Sequence, residues 1–444
     1  MSDLSSALLS FSARNVRSYR DNVELSLLAT RLSTGDVSRD VAAAGMSTPI
    51  AVLPAAGVFG ANASGKSKLL HAIADMRGLV VGSFRRGDRT TGVVRRPFLL
   101  DKRSRTEPSE FRIDLVLDGV HWQYGFEVDD ESVISEYAYH APHGRQALIF
   151  HRDRDEIRLG SSFRSDGRLL ERLLRHNALL LSVGGAAEDD TLTPLFEWFS
   201  DNLRLAEMSS RGIRAAHTAD LMADPASRAR VLALLRAADL GITDAKVATA
   251  ELDLDPEARD RLERALRILN GIDGDPEAAD DWHFMVGEFV RLTHQGERGE
   301  VDFEPEDESE GTLVWVGLVG PVLTALDRGE VLLADELGTS LHPHLVRRLI
   351  ELFQSKSTNK HCAQLIFNAH DVTVLGDGED RALGRDQIWF TEKDLDGATR
   401  LYPLADFRPR KDEALERRYL QGRYGGIPIL DPSEFERAVD FAEP

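Results

Sequence analysis

A single cysteine, Cys362, in 444 residues excludes an internal disulfide and suits a reducing compartment. It lies in the apolar run HCAQLIF and reads as a buried strand residue, not a nucleophile. No apolar run reaches the roughly 18 residues of a membrane span. SALLSF near the N-terminus is too short for a signal peptide, and polar ARNVRSYRDN follows it at once. The expectation is a cytoplasmic chain without a membrane segment. Basic residues are scarce: 54 Lys and Arg against 74 Asp and Glu leave a net charge of −20. Proteins that coat nucleic acid are normally basic, so any contact with DNA or RNA must be local or made through a partner. The Arg-rich stretch SFRRGDRTTGVVRR at 83–96 reads as a solvated basic loop. There is no sustained heptad array, which argues against a long coiled-coil arm, and no internal repeat or long low-complexity tract.

What is present falls into three stretches. Residues 9–30 mix alternation with β-branched and aromatic side chains and predict an antiparallel hairpin or sheet. Residues 51–60 (AVLPAAGVFG) predict a short strand running into a glycine turn, and SKLLHAIADMRGLV a helix after it. Residues 110–140 alternate clearly around Asp118-Gly119, a hairpin turn signal, with more strand at 147–160. From about 167 to 290 the period turns helical, in segments at 168–181, 193–208, 227–242 and 258–272. Beyond it a helix at 310–326 is followed by VLLADEL (strand), LHPHLVRRLIELFQ (helix), QLIFNAH (strand) and QIWFTEKD (strand). That alternation predicts α/β architecture with a parallel sheet.

Four motifs carry chemistry. Gly60-Ala-Asn62-Ala-Ser64-Gly65-Lys66-Ser67, followed by Lys68, completes the G-x4-G-K-[ST] phosphate loop. Its glycines let backbone N–H groups wrap an anion at a helix N-terminus, with Lys66 reaching the β- and γ-phosphates and Ser67 binding Mg²⁺. Val331-Leu-Leu-Ala-Asp335-Glu336 ends a buried strand in two carboxylates. Asp335 would hold Mg²⁺ and Glu336 would orient and deprotonate a water. His370, 35 residues after Asp335, ends another apolar strand and would stand beside the γ-phosphate if the two strands are neighbours. Ser309 and Gly311 in Glu308-Ser-Glu-Gly-Thr312 suit a helix N-terminus that favours an anion.

Together these strings resemble the ABC/SMC-type ATPases, and more narrowly the SMC-related ATP-binding proteins of prokaryotic defence islands: RloA-like, abortive-infection and OLD-type ATPases. The resemblance rests on NVRSYRD at 15–21, FGANASGKS at 59–67, ESEGT at 308–312, LLADELGTSLHPHL at 332–345 and FNAHD at 367–371. RPRKDEALERRYLQGRYGGIPIL at 408–430 also looks like the end of RloA-like proteins. It covers residues 10–160 and 300–430. It implies a P-loop ABC-type ATPase head, with a mixed N-terminal sheet plus a parallel core sheet and an inserted helical domain. The N-terminal lobe would span 1–165, the helical insertion 166–295, and the C-terminal lobe with its tail 296–444.

It also implies roles. Ser309 and Gly311 would bind the γ-phosphate of ATP held by another subunit. Arg17 would lie near the nucleotide. Ser340, Leu341 and His342 occupy the D-loop position facing the other subunit. Glu336, His370 and Lys66 would be catalytic, with ATP and Mg²⁺ as cofactors. The assembly would be a homodimer or higher homo-oligomer acting with an effector protein, a nuclease or toxin, encoded nearby. The implied function is sensing and regulation in antiphage defence. A DNA repair or recombination ATPase of the SMC kind is the alternative, with a transporter subunit third. No Q-loop glutamine can be placed; Gln123 is a poor candidate. His342 and His344 could suggest a metal pair, but Pro343 separates them and no acid stands at ligand spacing. The acids Asp386, Glu392, Asp394 and Asp396 follow His370 in too short a stretch for a nuclease fold.

Overall fold

Strand β1 (Ala7–Arg14) pairs antiparallel with β2 (Val23–Ser26) on one edge and with β6 (Ser109–Leu117) on the other. The chain then meanders through β7 (Val120–Val128), β8 (Val133–Ala141), β9 (Ala147–Asp153) and β10 (Glu156–Leu159). The resulting seven-stranded sheet has the order β10-β9-β8-β7-β6-β1-β2. Asp118 and Gly119 turn β6 into β7 with φ of 49° and 72°, the primed turn whose twist matches the strands it joins. A separate hairpin pairs β3 (Arg39–Val41) with β4 (Ile50–Val52). The computed structural model describes residues 6–33, 37–88, 90–165, 167–207, 210–249, 288–376, 381–410, 412–428 and 430–439.

The second sheet carries the motifs. Its order is β11 (Leu203–Ala206), β15 (Val331–Ala334), β16 (Gln364–Asn368), β5 (Ala55–Gly60), β17 (Ile388–Lys393) and β18 (Thr399–Pro403). All neighbours run parallel except β18, which returns antiparallel. These strands are apolar on both faces because both are covered. Val58, Leu333 and Ile366 feed one core, while Phe59, Leu332 and Phe367 feed the other. The first core lies under the seven-stranded sheet with α1 (Lys66–Arg86). The second packs α7 (Glu310–Arg328) and α8 (Pro343–Gln354). This is the expected α/β class; in detail the N-terminal sheet is antiparallel throughout. Among the described residues α7 is long and apolar enough to cross a membrane by length and composition, but 78% of its apolar window is buried inside the protein, as in a core helix.

The stretch 166–295 holds helices α2 (Arg168–Leu173), α3 (Leu180–Ala186), α4 (Thr193–Asp201), α5 (Arg211–Leu221) and α6 (Pro225–Ala237). It also holds strands, which helical periodicity did not predict. The segment at 193–208 breaks at Asn202, and Leu203–Ala206 becomes β11, paired with β15. The segment at 227–242 breaks at Gly241, whose φ of 74° ends the helix before β12 (Ile242–Thr249). β12, β13 (Glu288–Gly296) and β14 (Gly299–Phe303) form a three-stranded sheet. The helix expected at 258–272 lies outside the described residues. Cys362 is buried, with its thiol pushed up to about 11, but sits just before β16 with φ 61° rather than within the strand.

Helix α3 is pinned to the first sheet through a buried charge. Glu136 on β8 accepts the amides of Leu180 (2.6 Å) and Leu181 (3.0 Å) and the hydroxyl of Tyr124 (2.9 Å). Arg152 stands 3.8 Å away and donates to the carbonyls of Ala178 and Arg175. Burial raises the Glu136 pKa, and the Arg152 charge opposes that shift. Glu136→Gln keeps the shape but turns an amide toward two donors, so unfolding free energy should fall by about 1–3 kcal/mol. A denaturant midpoint identical to that of the unaltered chain would show that the pin contributes nothing.

Candidate functional site

β15, β16 and β5 lie side by side and parallel. Their C-terminal ends therefore bring three sequence motifs to one crevice, the usual ligand position in an open parallel sheet. The phosphate loop leaves β5 at Gly60 and enters α1 at Lys66, with Gly65 as N-cap in the left-handed region at φ 112°. A Cβ on Gly65 would lie 2.3 Å from Thr399 Oγ1, so the residue must be glycine for closeness as well as for φ. The first turn of α1 holds no acid, leaving its positive end open to an anion.

The loop is clamped from both sides. Tyr19, fully buried and with its pKa driven far up by desolvation, donates to Gly65 O (3.1 Å). Thr399 donates to Ser64 O (2.9 Å), and Ser64 and Thr391 share a hydroxyl bond of 2.7 Å. Lys66 donates to Gly60 O (2.7 Å) and Ala61 O (3.0 Å), folding over the loop. Burial lowers its pKa, while Glu336 and Asp335 draw it back up. Asn62 and Lys68 are exposed.

One side chain that the sequence reading passed over joins the motifs. Asn368, the last residue of β16 and wholly buried, donates from Nδ2 to Asp335 Oδ1 and to Ser67 Oγ (3.3 Å). Its Oδ1 accepts the Glu336 amide (2.7 Å), and its carbonyl accepts the Leu337 amide (2.9 Å). Glu336 is held at φ 56°, which for a non-glycine residue stores about 1–3 kcal/mol and needs such a bracket. Ser67 and Asp335, the expected Mg²⁺ ligands, are thus drawn toward a common partner, and two such oxygens fit a hard divalent cation. His370 is exposed just past the end of β16. The signal for Asn368 was present: a polar residue closing an apolar strand in FNAHD.

Ser309 caps α7, accepting the Thr312 amide at 3.1 Å. A Cβ on Gly311 would stand 2.5 Å from Ser340 O, so the first turn of α7 packs closely on the loop that follows Glu336. The bonds of Ser309 run to its own first turn, through Thr312 N and Oγ1. His342 caps α8 through Nδ1 and stacks on His344 at 5.2 Å. Among the described residues this pair joins no set of three candidate metal ligands.

Arg17 is held by an acid on α1. Its guanidinium grips Asp75 at 2.5 and 2.8 Å, nine residues and so about 14 Å along α1 from Lys66. Arg96 joins the same carboxylate at 3.1 Å, and Arg95, with a side chain 1% exposed, pairs with Asp130. The stretch at 83–96 is therefore partly a set of structural pins, not wholly a solvated loop. Gln123 bonds Asp114 on the first sheet. Asp386 is consumed by Thr30 and Ser33, and Asp394 and Asp396 by Arg20. The C-terminal tail closes on the loop: Tyr419 and Tyr424 stack on Phe390 of β17, and a Cβ on Gly426 would lie 3.6 Å from Gly60 Cα.

Residues 55–376 match the family model described as AAA domain, putative AbiEii toxin, Type IV TA system. No curated protein matches the sequence. Among solved structures, an SMC head bound to the C-winged helix domain of ScpA is 12% identical, with a TM-score of 0.43 over 89% of this chain and 96% of that one. The SMC head domain from Thermotoga maritima is 13% identical, with a TM-score of 0.37 over 89% and 98%. An Smc head with an extended coiled coil, bound to the C-terminal domain of ScpA derived from Pyrococcus furiosus, is 12% identical, with a TM-score of 0.36 over 94% and 99%.

Proposed function

Because the chain belongs to the family of AAA domains described as putative AbiEii toxin, Type IV TA system, we propose that it is an ATP-binding and ATP-hydrolysing switch of the ABC type. The observation that carries this reading is Asn368 binding Ser67, Asp335 and the Glu336 amide at once. The loop amides and Lys66 hold the phosphates. Ser67 and Asp335 would hold Mg²⁺, which would offset the charge of the β- and γ-phosphates. Glu336 orients the attacking water and takes its proton, with His370 at the same end of the sheet. Ser309, at the positive end of α7, completes the site of a second copy. ATP then favours the closed homo-oligomer and hydrolysis weakens it, so the output is a change in assembly. Within that cycle the chain acts as sensor and regulator in antiphage defence of the abortive-infection kind, restraining or releasing a partner nuclease or toxin in the cytoplasm.

The composite site is tested by complementation. Ser309→Arg should lower turnover roughly 10–100-fold, the worth of a hydrogen bond to a charged group, and Lys66→Ala should be inactive. A mixture of the two restores one intact site per mixed pair, joining the loop of the first chain to Ser309 of the second. Turnover of the mixture should exceed the sum of the separate chains. A mixture no faster than that sum removes the second copy from the mechanism.

A further inference from the structure

The two oxygens of Asp335 face different neighbourhoods. Oδ1 meets Asn368 on the side of Ser67. Oδ2 stands 3.6 Å from His71 Nε2, which is 3.1 Å from Glu207 Oε2. The three ligand atoms of His71, Glu207 and Asp335 all lie within 4.8 Å of one another. His71 projects from α1, five residues past Lys66, while Glu207 and Asp335 directly follow the paired strands β11 and β15. The set is therefore held by three elements of the core rather than by a loop.

One imidazole proton cannot satisfy both acids. At 3.1 Å Glu207 takes the hydrogen bond; at 3.6 Å Asp335 Oδ2 lies beyond one. Two half-buried carboxylates then converge on one ring edge. The ring's other nitrogen, Nδ1, is buried without a partner among the described residues, so its polar contacts run through Nε2. Ligands about 2.0–2.2 Å from one cation stand roughly 3–3.5 Å apart when adjacent; the two pairs made by His71, at 3.1 and 3.6 Å, stand close to that, and the third lies within 4.8 Å.

We propose that His71, Glu207 and Asp335 form a second divalent-cation site beside that of the nucleotide, with Asp335 shared between them. An imidazole with two carboxylates selects a cation of the Mn²⁺ or Zn²⁺ class over Mg²⁺, which favours oxygen and water. The site has a mechanical consequence. Beyond Glu207 the chain enters α5, which packs on α7 through Arg211–Glu310 and a Thr218 bond to Val316 O (2.7 Å). A cation here ties the unit that carries Ser309 to the phosphate-loop helix.

The test uses the nucleotide-free full chain, stripped by chelator and titrated with Mn²⁺ alone, with free Mn²⁺ read by electron paramagnetic resonance. About one Mn²⁺ per chain should bind, and the spin echo of the bound ion should carry the modulation of a coordinated imidazole nitrogen. His71→Gln should remove that modulation and weaken binding by more than the roughly 10–100-fold typical of losing an outer-shell partner. Glu207→Gln should weaken binding and keep the nitrogen signal, while His344→Gln should change neither. Absence of uptake, uptake unaltered by His71→Gln, or bound Mn²⁺ without nitrogen coupling each overturns the site. The nitrogen signal of the unaltered protein decides the matter even if a variant folds poorly. ATP binding measured separately in Mg²⁺ keeps this outcome distinct from that of the ATPase reading.

Discussion

Glu336→Gln is expected to lower ATP turnover by about 10²–10⁴-fold, the usual worth of a positioned general base, while ATP still binds. The reason lies in where Glu336 stands. Its backbone is fixed by the Asn368 carboxamide, and its side chain follows Asp335 at the edge of the crevice rather than within the phosphate loop. Glutamine fits the same space and preserves the left-handed backbone, so the loop, Lys66 and Ser67 keep their geometry. What is lost is proton acceptance. An ATP-bound state that no longer turns over should therefore accumulate. Light scattering of the variant should show a larger species with Mg·ATP than without, and the added change Ser309→Arg should abolish it. Unchanged turnover would remove Glu336 from the chemistry. Blocked turnover with no mass change would keep the base but reject ATP-driven assembly.

The phosphate loop, the Asp-Glu strand end and the hairpin at Asp118-Gly119 were legible because each depends on residues close in sequence. The same is true of α1 and α7, whose caps and apolar periods are local. The central order of the core sheet was not legible. β11 is four residues long, and its reason for being a strand is the edge of β15 more than a hundred residues away. Its residues Leu203-Arg-Leu-Ala continue the period of α4 almost without a break, so only tertiary pairing separates helix from strand. Arg17 shows a related limit. A basic residue in NVRSYRD says nothing about which acid it will reach, and the fold pairs it with Asp75 on α1. Arg95 and Arg96 look like a solvated patch in sequence until Asp130 and Asp75 are brought beside them.

Asn368 shows the same limit from the other side, and its replacement is expected to have the second-largest effect. In sequence it is one polar residue before His370, and the histidine drew the functional reading. In the fold it is, among the described residues, the single group bonded to Ser67, Asp335 and the Glu336 amide. Asn368→Ala should lower kcat by about 10²-fold, the scale on which a displacement of about 1 Å at a reacting group is felt. KM should change little, because the phosphate loop is bracketed at Ser64 and Gly65 by Tyr19, Thr391 and Thr399 instead. A merely structural role predicts otherwise: kcat intact on the folded fraction and a loss confined to stability. The decisive comparison is the double variant with Glu336→Gln. If Asn368 acts by holding Glu336, removing both should cost little more than removing Glu336 alone, since residues acting as one unit are strongly non-additive. Full additivity of the two losses would mean that Asn368 acts elsewhere, through Ser67 and Asp335, and the double variant should then need more Mg²⁺ to reach half-maximal turnover.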